Sequence, residues 1–470
     1  MKYFLLCLTS FSLLPMIAEL PVPILEHAHS KLPISLGSEE QTWPERGTLE
    51  FVFEFPDIES TLALAPAMEE GYLHAALFQL PFVKSNYWSY YKEQGLHGGG
   101  GLALLMPDKD GKEKRLQMAM SRMDGKKPYH LVMTWDLPAK EVALYLQGTR
   151  QGDLSHWGAD SPDIADPGRG PARFGGDVRQ GKQIFSPVQV HQVRIFDEVL
   201  DPQQIQEAAD RLKLPPLSGE GRTVYTGSLK LDELKRKEIF RTDFQGELSW
   251  EHEEGLIEAE KRVKRPQAEW VLEGPHASLS SVEGGIKLSS AEPEDRKHGH
   301  MVLWLNKEMP ADFLLEYRFS PENDRKGLGI VFFNARNPHG ETLFDLDLPI
   351  RRGIFGEYII GKIDSYHVSS FAADDKNLRR TANMRKNSGF MLVSVGNDRI
   401  GGSGPGPHTV RVLKRGGKVQ VESNGVIALE YQDDGKAHGP VHDHPGLIGI
   451  RFMAHSRSAI LHSLKVWELE

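Results

Sequence analysis

Three features of the sequence predict an all-β chain built as two sandwiches in tandem: strand-like runs dominate, an order of hairpins recurs in the two halves, and the chain is too long for one core. From Thr48 onward short runs alternate apolar and polar residues, as in Thr48-Leu49-Glu50-Phe51-Val52-Phe53-Glu54-Phe55. In a strand that alternation sends one set of side chains to a core and the other to solvent. The recurrence is one of order. In the first half Pro128-Tyr129-His130-Leu131-Val132-Met133-Thr134-Trp135 is followed by Glu141-Val142-Ala143-Leu144-Tyr145-Leu146-Gln147-Gly148, and in the second Pro407-His408-Thr409-Val410-Arg411-Val412-Leu413-Lys414 is followed by Lys418-Val419-Gln420-Val421-Glu422-Ser423-Asn424-Gly425. Each half then carries a later strand, at 190–197 and 461–468. A fixed order of similar units is how a duplicated architecture shows itself in one sequence. The length of 470 residues fits two such units, at about 150 to 200 residues per domain.

The helix signature is Pro202-Gln203-Gln204-Ile205-Gln206-Glu207-Ala208-Ala209, with Asp201 as N-cap and proline in the first helical position. It closes a first domain expected at 42–212. A linker is expected at 213–237, where Pro215, Pro216, Gly219 and Gly221 precede a charged run. The second domain is expected at 238–470.

At the N-terminus Lys2 precedes an apolar run from Phe4 to Leu14, followed by Pro15 and Ala18. That pattern reads as a secretory signal peptide over residues 1–18. The mature chain is therefore expected to be exported, to a periplasm, a cell surface or the medium. Cys7 is the sole cysteine and lies inside that run, which excludes disulfides, zinc–thiolate sites and cysteine nucleophiles from the mature chain. No later segment is apolar for long enough to span a bilayer. A net charge of −9 argues against nucleic acid as a partner, because phosphate backbones are met by concentrated positive charge.

Residues 42–212 resemble a laminin-G-like (LamG) domain. The resemblance is carried by Tyr129-His130-Leu131-Val132-Met133-Thr134-Trp135, by Leu144-Tyr145-Leu146-Gln147-Gly148, and by Val193-Arg194-Ile195-Phe196 followed by Leu200 and Ile205. The second half is similar to the YesU-like proteins of unassigned activity. It shares with them Phe244-Gln245-Gly246, His300-Met301-Val302-Leu303-Trp304, Gly327-Leu328-Gly329-Ile330-Val331-Phe332-Phe333, Tyr366-His367-Val368-Ser369, Arg385-Lys386-Asn387-Ser388-Gly389-Phe390 and Trp467. Both resemblances imply the jelly-roll sandwich of the concanavalin A-like lectins and glucanases. They also imply carbohydrate binding or polysaccharide degradation.

In such a sandwich, polar residues at alternate strand positions line the groove of the curved sheet. The run 358–371 places His367 and Ser369 on one face and Tyr366 and Val368 on the other, with Tyr358 and Lys362 further up the same run. Rings for stacking on sugars and fixed donors for hydroxyls are both present. The following run, 379–387, concentrates arginine, lysine and asparagine in an acidic chain. Facing the groove, Arg385 and Asn383 would grip the carboxylates of a uronate-containing glycan. Asp345 and Asp347, spaced as on one strand face, are candidates for substrate binding, for calcium, for pairing with an arginine, for the paired carboxylates of a glycoside hydrolase, or for the wet face of an edge strand. The Glu, Asp, Glu spacing of the concanavalin-class hydrolases is missing. His300 joins the candidate binding residues. His442-Asp443-His444, in a glycine- and proline-rich turn, reads as a surface turn before it reads as a metal site.

Two functions follow. One is a polysaccharide-active enzyme, most simply a lyase in which Arg385 and Asn383 neutralise a uronate while Tyr366 or His367 moves the proton. The other is a non-catalytic glycan-binding or adhesion protein whose two lectin-like domains act together. Polysaccharide is the partner in both, and calcium is the one cofactor left open.

Overall fold

The computed structural model describes residues 21–30, 34–54, 72–75, 77–92, 95–97, 102–107, 113–118, 127–151, 167–174, 177–179, 182–184, 188–214, 228–295, 297–339, 342–358, 363–373, 381–387, 389–436 and 439–470. The expected signal peptide, much of the expected linker and Lys362 lie outside them. Among the described residues, apart from the helix Pro202–Leu212 and short 3-10 turns, the regular structure is strand.

Between Leu25 and Phe196 the described strands form a six-stranded and an eight-stranded sheet with a small ribbon. Alternation in Arg46–Glu54 sends Leu49, Phe51 and Phe53 inward, where they meet Phe78, Leu104 and Phe174 of the facing sheet. The other face of that strand is buried as well, although alternation alone assigns it to solvent. Helix Pro202–Leu212 lies over it, and Leu200 and Ile205 pack on Val132, Tyr145 and Phe196. The helix starts where the sequence places it: Asp201 accepts from the Gln204 backbone N–H at 2.9 Å, and the Gln204 side chain accepts from the Asp201 N–H at 2.9 Å. Beneath this cover Glu50 lies 3.0 Å from His130 Nε2 and 2.5 Å from Arg194 Nε. Burial raises the Glu50 carboxyl, but His130 and Arg194 outweigh it and hold the group below its ordinary value.

In the second half the described strands form a sandwich of two eight-stranded sheets, with a small two-stranded ribbon beside it. One sheet contains β1 (Trp250–His252), β2 (Trp270–Glu273), β3 (Met301–Met309), β4 (Gly327–Arg336), β5 (Asp364–Ala373), β6 (Thr381–Asn387), β7 (Met391–Asn397) and β8 (Gly446–Phe452). Its order is β1-β2-β3-β8-β4-β5-β6-β7. The facing sheet is organised around the long strand Ser458–Leu469, which pairs with Arg236–Thr242, Gly285–Ser290 and Phe313–Pro321. Between the sheets lie Leu303, Val331, Phe333, Tyr366, Met384, Ile450, Phe319 and Val412. Residues 228–234 belong to this half's packing: Leu231 is buried with Leu314 and Leu413, and Gln420 exchanges hydrogen bonds of 2.8 and 2.9 Å with the Leu229 backbone.

The outer face of the β1–β8 sheet is covered too. Leu256, Leu343, Phe344, Tyr358 and Ile363 from the connecting segments pack on Val271, Val302, Trp304, Ile330 and Phe332. Burial on both sides is why Met301-Val302-Leu303-Trp304-Leu305 reads as a continuous apolar run. The cover leaves no slack at Gly449, where an added Cβ would stand 2.5 Å from the Trp304 ring. Gly449→Ala is therefore expected to cost about 1–3 kcal/mol by overpacking, read as a lower thermal midpoint. An unchanged midpoint would mean that the indole is free to slide.

Candidate functional site

Strand register assembles two rows of side chains on this outer face. One runs Asn383 (β6), Ser369 (β5), Ile330 (β4), Arg451 (β8), Val302 (β3) and Glu273 (β2); the next runs Arg385, His367, Phe332, Gly449, Trp304 and Val271. Residues two apart share a face of a strand, so His367, Ser369, Asn383 and Arg385 form a contiguous polar corner. All four are buried. The Arg385 guanidinium stacks 3.8 Å from the Phe390 ring centre and its Nη1 donates to the Phe390 carbonyl at 3.0 Å. Ser369 Oγ lies 3.4 Å from the Asn383 carbonyl. His367 Nδ1 lies 3.0 Å from Asn387 Nδ2, which also donates to Ser365 Oγ at 2.9 Å. The Asn387 amide thereby holds the imidazole in place beside Arg385.

Tyr366 is on the other side. It lies in the inter-sheet core, and its hydroxyl donates to Asp433 at 2.5 Å while accepting the His442 N–H at 3.2 Å. Burial and the Asp433 charge drive its pKa far upward. Tyr366 is thus separated by the sheet from His367 and Arg385, and a shared proton-transfer role is not available to it. Lys386 follows it inward, donating to Asp433 at 2.7 Å and to the Gly439 carbonyl at 2.8 Å.

The remaining sequence candidates scatter. Tyr358 joins the outer face, but its hydroxyl donates to Glu273 at 2.6 Å and accepts from the Gly353 N–H at 3.0 Å. His300, at the start of β3, accepts the Ala454 N–H on Nδ1 at 2.9 Å. Asp345 and Asp347 are in turns and not on a strand, because local bonds from Leu348 N to the Asp345 carbonyl (3.2 Å) and from Thr342 N to the Asp345 carboxylate (3.0 Å) displace any ladder. Asp345 is buried against Arg265 at 2.6 Å and Asn337 at 3.2 Å, whereas Asp347 is exposed. They cannot serve as a matched carboxylate pair. His442 donates from Nε2 to the Asn387 carbonyl at 2.7 Å and pins its turn to β6. Among the described residues no three His, Cys, Asp or Glu side chains stand together as a metal cage, and no helix is long and apolar enough to cross a membrane.

Beside the polar corner lies a charged cluster that sequence reasoning missed. Glu273 accepts from Arg351 at 2.8 Å, from Tyr358 at 2.6 Å and from the Trp304 indole at 2.8 Å, and Arg262 pairs with Glu253. Burial, reinforced by the Glu273 charge, pushes the Glu253 carboxyl up to about 7 against the pull of Arg262 and Arg351. Arg451 is fully buried with its guanidinium 5.0 Å from the Phe355 ring centre and 5.1 Å from that of Tyr358. Phe355 meets Phe390 edge-on at 5.0 Å, so the guanidinium groups of Arg451 and Arg385 flank an aromatic pair. The signal for Arg451 was an arginine inside the apolar run Gly446-Leu447-Ile448-Gly449-Ile450-Arg451-Phe452.

The model of a domain of unknown function (DUF1961) matches residues 256–466. The uncharacterized protein YesU of Bacillus subtilis (strain 168) is 34% identical over 197 residues, which are 41% of this chain and 86% of that protein. Among solved structures, a Bacillus subtilis protein of unknown function with a galectin-like fold is 27% identical with a TM-score of 0.41, over 50% of this chain and all of that one. The carbohydrate binding module CBM66 from Bacillus subtilis is 10% identical with a TM-score of 0.27, over 41% of this chain and 92% of that one. Since more than four-fifths of YesU aligns with this chain at an identity of one residue in three, the chain belongs to the DUF1961 family of YesU-like proteins.

Proposed function

We propose that the chain is an exported protein that holds an acidic polysaccharide against the outer face of β4, β5, β6 and β8. The observation that supports this reading is the direct register of His367 with Arg385 and of Ser369 with Asn383. It gathers a guanidinium, an amide, a hydroxyl and an imidazole on one patch. Arginine neutralises a carboxylate, and the other three supply donors and acceptors for hydroxyls. Phe355 and Phe390 add ring surface beside them. The patch is buried beside Phe355 and Phe390, so an acid group has to displace that cover to bind, after which it is shielded from water and its charge-assisted bonds are strengthened.

Binding without cleavage is the first reading. Tyr366, the other candidate for moving the proton, lies in the inter-sheet core out of reach of the patch, and Asn387 occupies Nδ1 of His367. Cleavage by β-elimination is the second reading, favoured by the pairing of His367 with Arg385, since a neutralised carboxylate acidifies the neighbouring C–H. The first half, residues 42–212, is proposed as a laminin-G-like module that adds avidity through a linker at 213–237, with the signal peptide at 1–18 removed on export.

The test is retention of the purified chain on pectic, alginate-like and glycosaminoglycan polymers, with absorbance from new unsaturated ends followed in parallel. Retention that weakens with salt is expected. Arg385→Gln should weaken it about 10-fold. No retention on any acidic polymer would overturn the assignment, and a rise in absorbance would promote the lyase reading over the binder.

A further inference from the structure

We propose that Arg451 receives the acid group of the ligand at this face, acting as the residue that selects carboxylated or sulfated glycans over neutral ones. This rests on the reading of the outer face as an acidic-glycan site and adds the group that reads the charge. Arg451 Nη2 donates to the Gly353 carbonyl at 2.8 Å, while Nε and Nη1, both buried, have no partner among the described residues. Two idle donors on a buried cation are a poor structural bargain, because removing a guanidinium from water is costly unless its hydrogen bonds are remade.

The surrounding carboxylates are already engaged. Glu273 serves Arg351, Tyr358 and Trp304, and Glu357 accepts the backbone N–H groups of Arg352 and Ile354 at 2.6 and 3.1 Å. Arg262 and Arg351, on the same side of the sheet, are each matched by a glutamate; Arg451 is not. Burial lowers its pKa to about 10, with Tyr358, Glu357 and Glu273 pulling the other way, so the group still carries its charge at neutral pH. A buried, charged guanidinium with unused donors is complementary to an oxyanion.

Its position fits that role. Arg451 stands in the row of Ser369 and Asn383, two strands from Ser369, which is roughly 10 Å at strand spacing. The ring that separates it from Arg385 on one side, Phe355, is only partly buried. Phe355 is therefore the group an incoming acid has to displace, and its ring face then becomes available to the sugar.

The experiment compares full-chain wild type, Arg451→Met and Arg451→Lys on polygalacturonate, dextran sulfate and neutral dextran, with a thermal melt of each protein. Arg451→Met is expected to melt at or above wild type, since it removes an unmatched buried charge, and to lose about 10- to 100-fold in affinity for the acidic polymer. Arg451→Lys should recover part of that loss, and the neutral polymer should not distinguish the three. Whether polygalacturonate or dextran sulfate binds tighter identifies the acid as carboxylate or sulfate. Wild-type retention with unchanged Arg451→Met affinity overturns the role of Arg451 alone, as does a lowered melting point in that variant. Wild type retained on neither acidic polymer overturns the site reading itself, and the inference with it.

Discussion

Replacing Glu273 with leucine is expected to destabilise the second half by about 3–5 kcal/mol, the cost of breaking a buried ion pair from one side, and to lower its melting temperature by roughly 10 °C for a unit of this size. Glu273 is fully buried and is the shared acceptor of the Arg351 guanidinium, the Tyr358 hydroxyl and the Trp304 indole, at 2.8, 2.6 and 2.8 Å. Leucine would leave all three donors without that acceptor, and Arg351, itself fully buried, without its counter-charge. Its Nη1 bond to the Leu343 carbonyl at 3.1 Å does not neutralise it. The double variant Glu273→Leu, Arg351→Met removes both charges and should recover most of the loss, because what is costly is the orphaned partner and not the missing pair. Urea unfolding of wild type, both single variants and the double variant gives the coupling directly. A Glu273→Leu protein within about 1 kcal/mol of wild type, the range of a solvated surface pair, would show that water reaches the cluster and that the outer face is open.

That cluster also marks where sequence reasoning stops. Strand identity was legible because period-two alternation survives in isolation: the hairpins expected from 128–148 and 407–425 are found as Pro128–Asp136 with Glu141–Leu146 and His408–Arg415 with Lys418–Ser423. The partition of His367 and Ser369 from Tyr366 and Val368 follows from the same alternation, which says that two residues face opposite ways and leaves open which way is inward. What alternation cannot reveal is whether a polar face is later covered. Glu50 and His130 look solvent-facing in their strands, yet both are buried, on the face where Leu200 and Ile205 pack on Val132 and Phe196. Glu273 and Arg451 sit in runs that read as simple core until the connections carrying Leu256, Phe344 and Tyr358 fold over them. Residues 344–348 failed for the converse reason: their alternation suggested a strand, but the Asp345 side chain satisfies backbone and Arg265 donors locally and holds the segment in turns.

Acidification should expose a second buried group, His442. Burial, with the Lys386 charge next in size, pushes its pKa down to about 3, against the opposing pull of the Asn387 carbonyl and Asp433. Its ring lies 4.8 Å from that of Tyr366, tilted by 59°, and 5.6 Å from that of His444. In the unfolded chain the imidazole titrates near its ordinary 6.5, so between these values the unfolded state binds a proton that the folded state refuses. The stability contributed by neutral His442 is therefore complete above pH 6.5 and is lost as the pH falls toward 3, by about 4–5 kcal/mol at the limit. Glu253 acts with the opposite sign. Its folded carboxyl titrates at about 7 against an ordinary 4.5, so its contribution is complete below 4.5 and is lost as the pH rises through 7, by about 3 kcal/mol. The two slopes oppose each other between pH 4.5 and 6.5 and flatten the wild-type curve there. Single variants separate them. His442→Gln, which keeps an N–H for the Asn387 carbonyl, should remove the acid limb and leave a profile that falls toward neutral pH. Glu253→Gln should do the reverse, with stability rising from pH 4.5 to 6.5. Melting temperatures from pH 4 to 8 for the three proteins decide the matter: parallel curves would mean that neither group carries its proton differently in the folded and unfolded states.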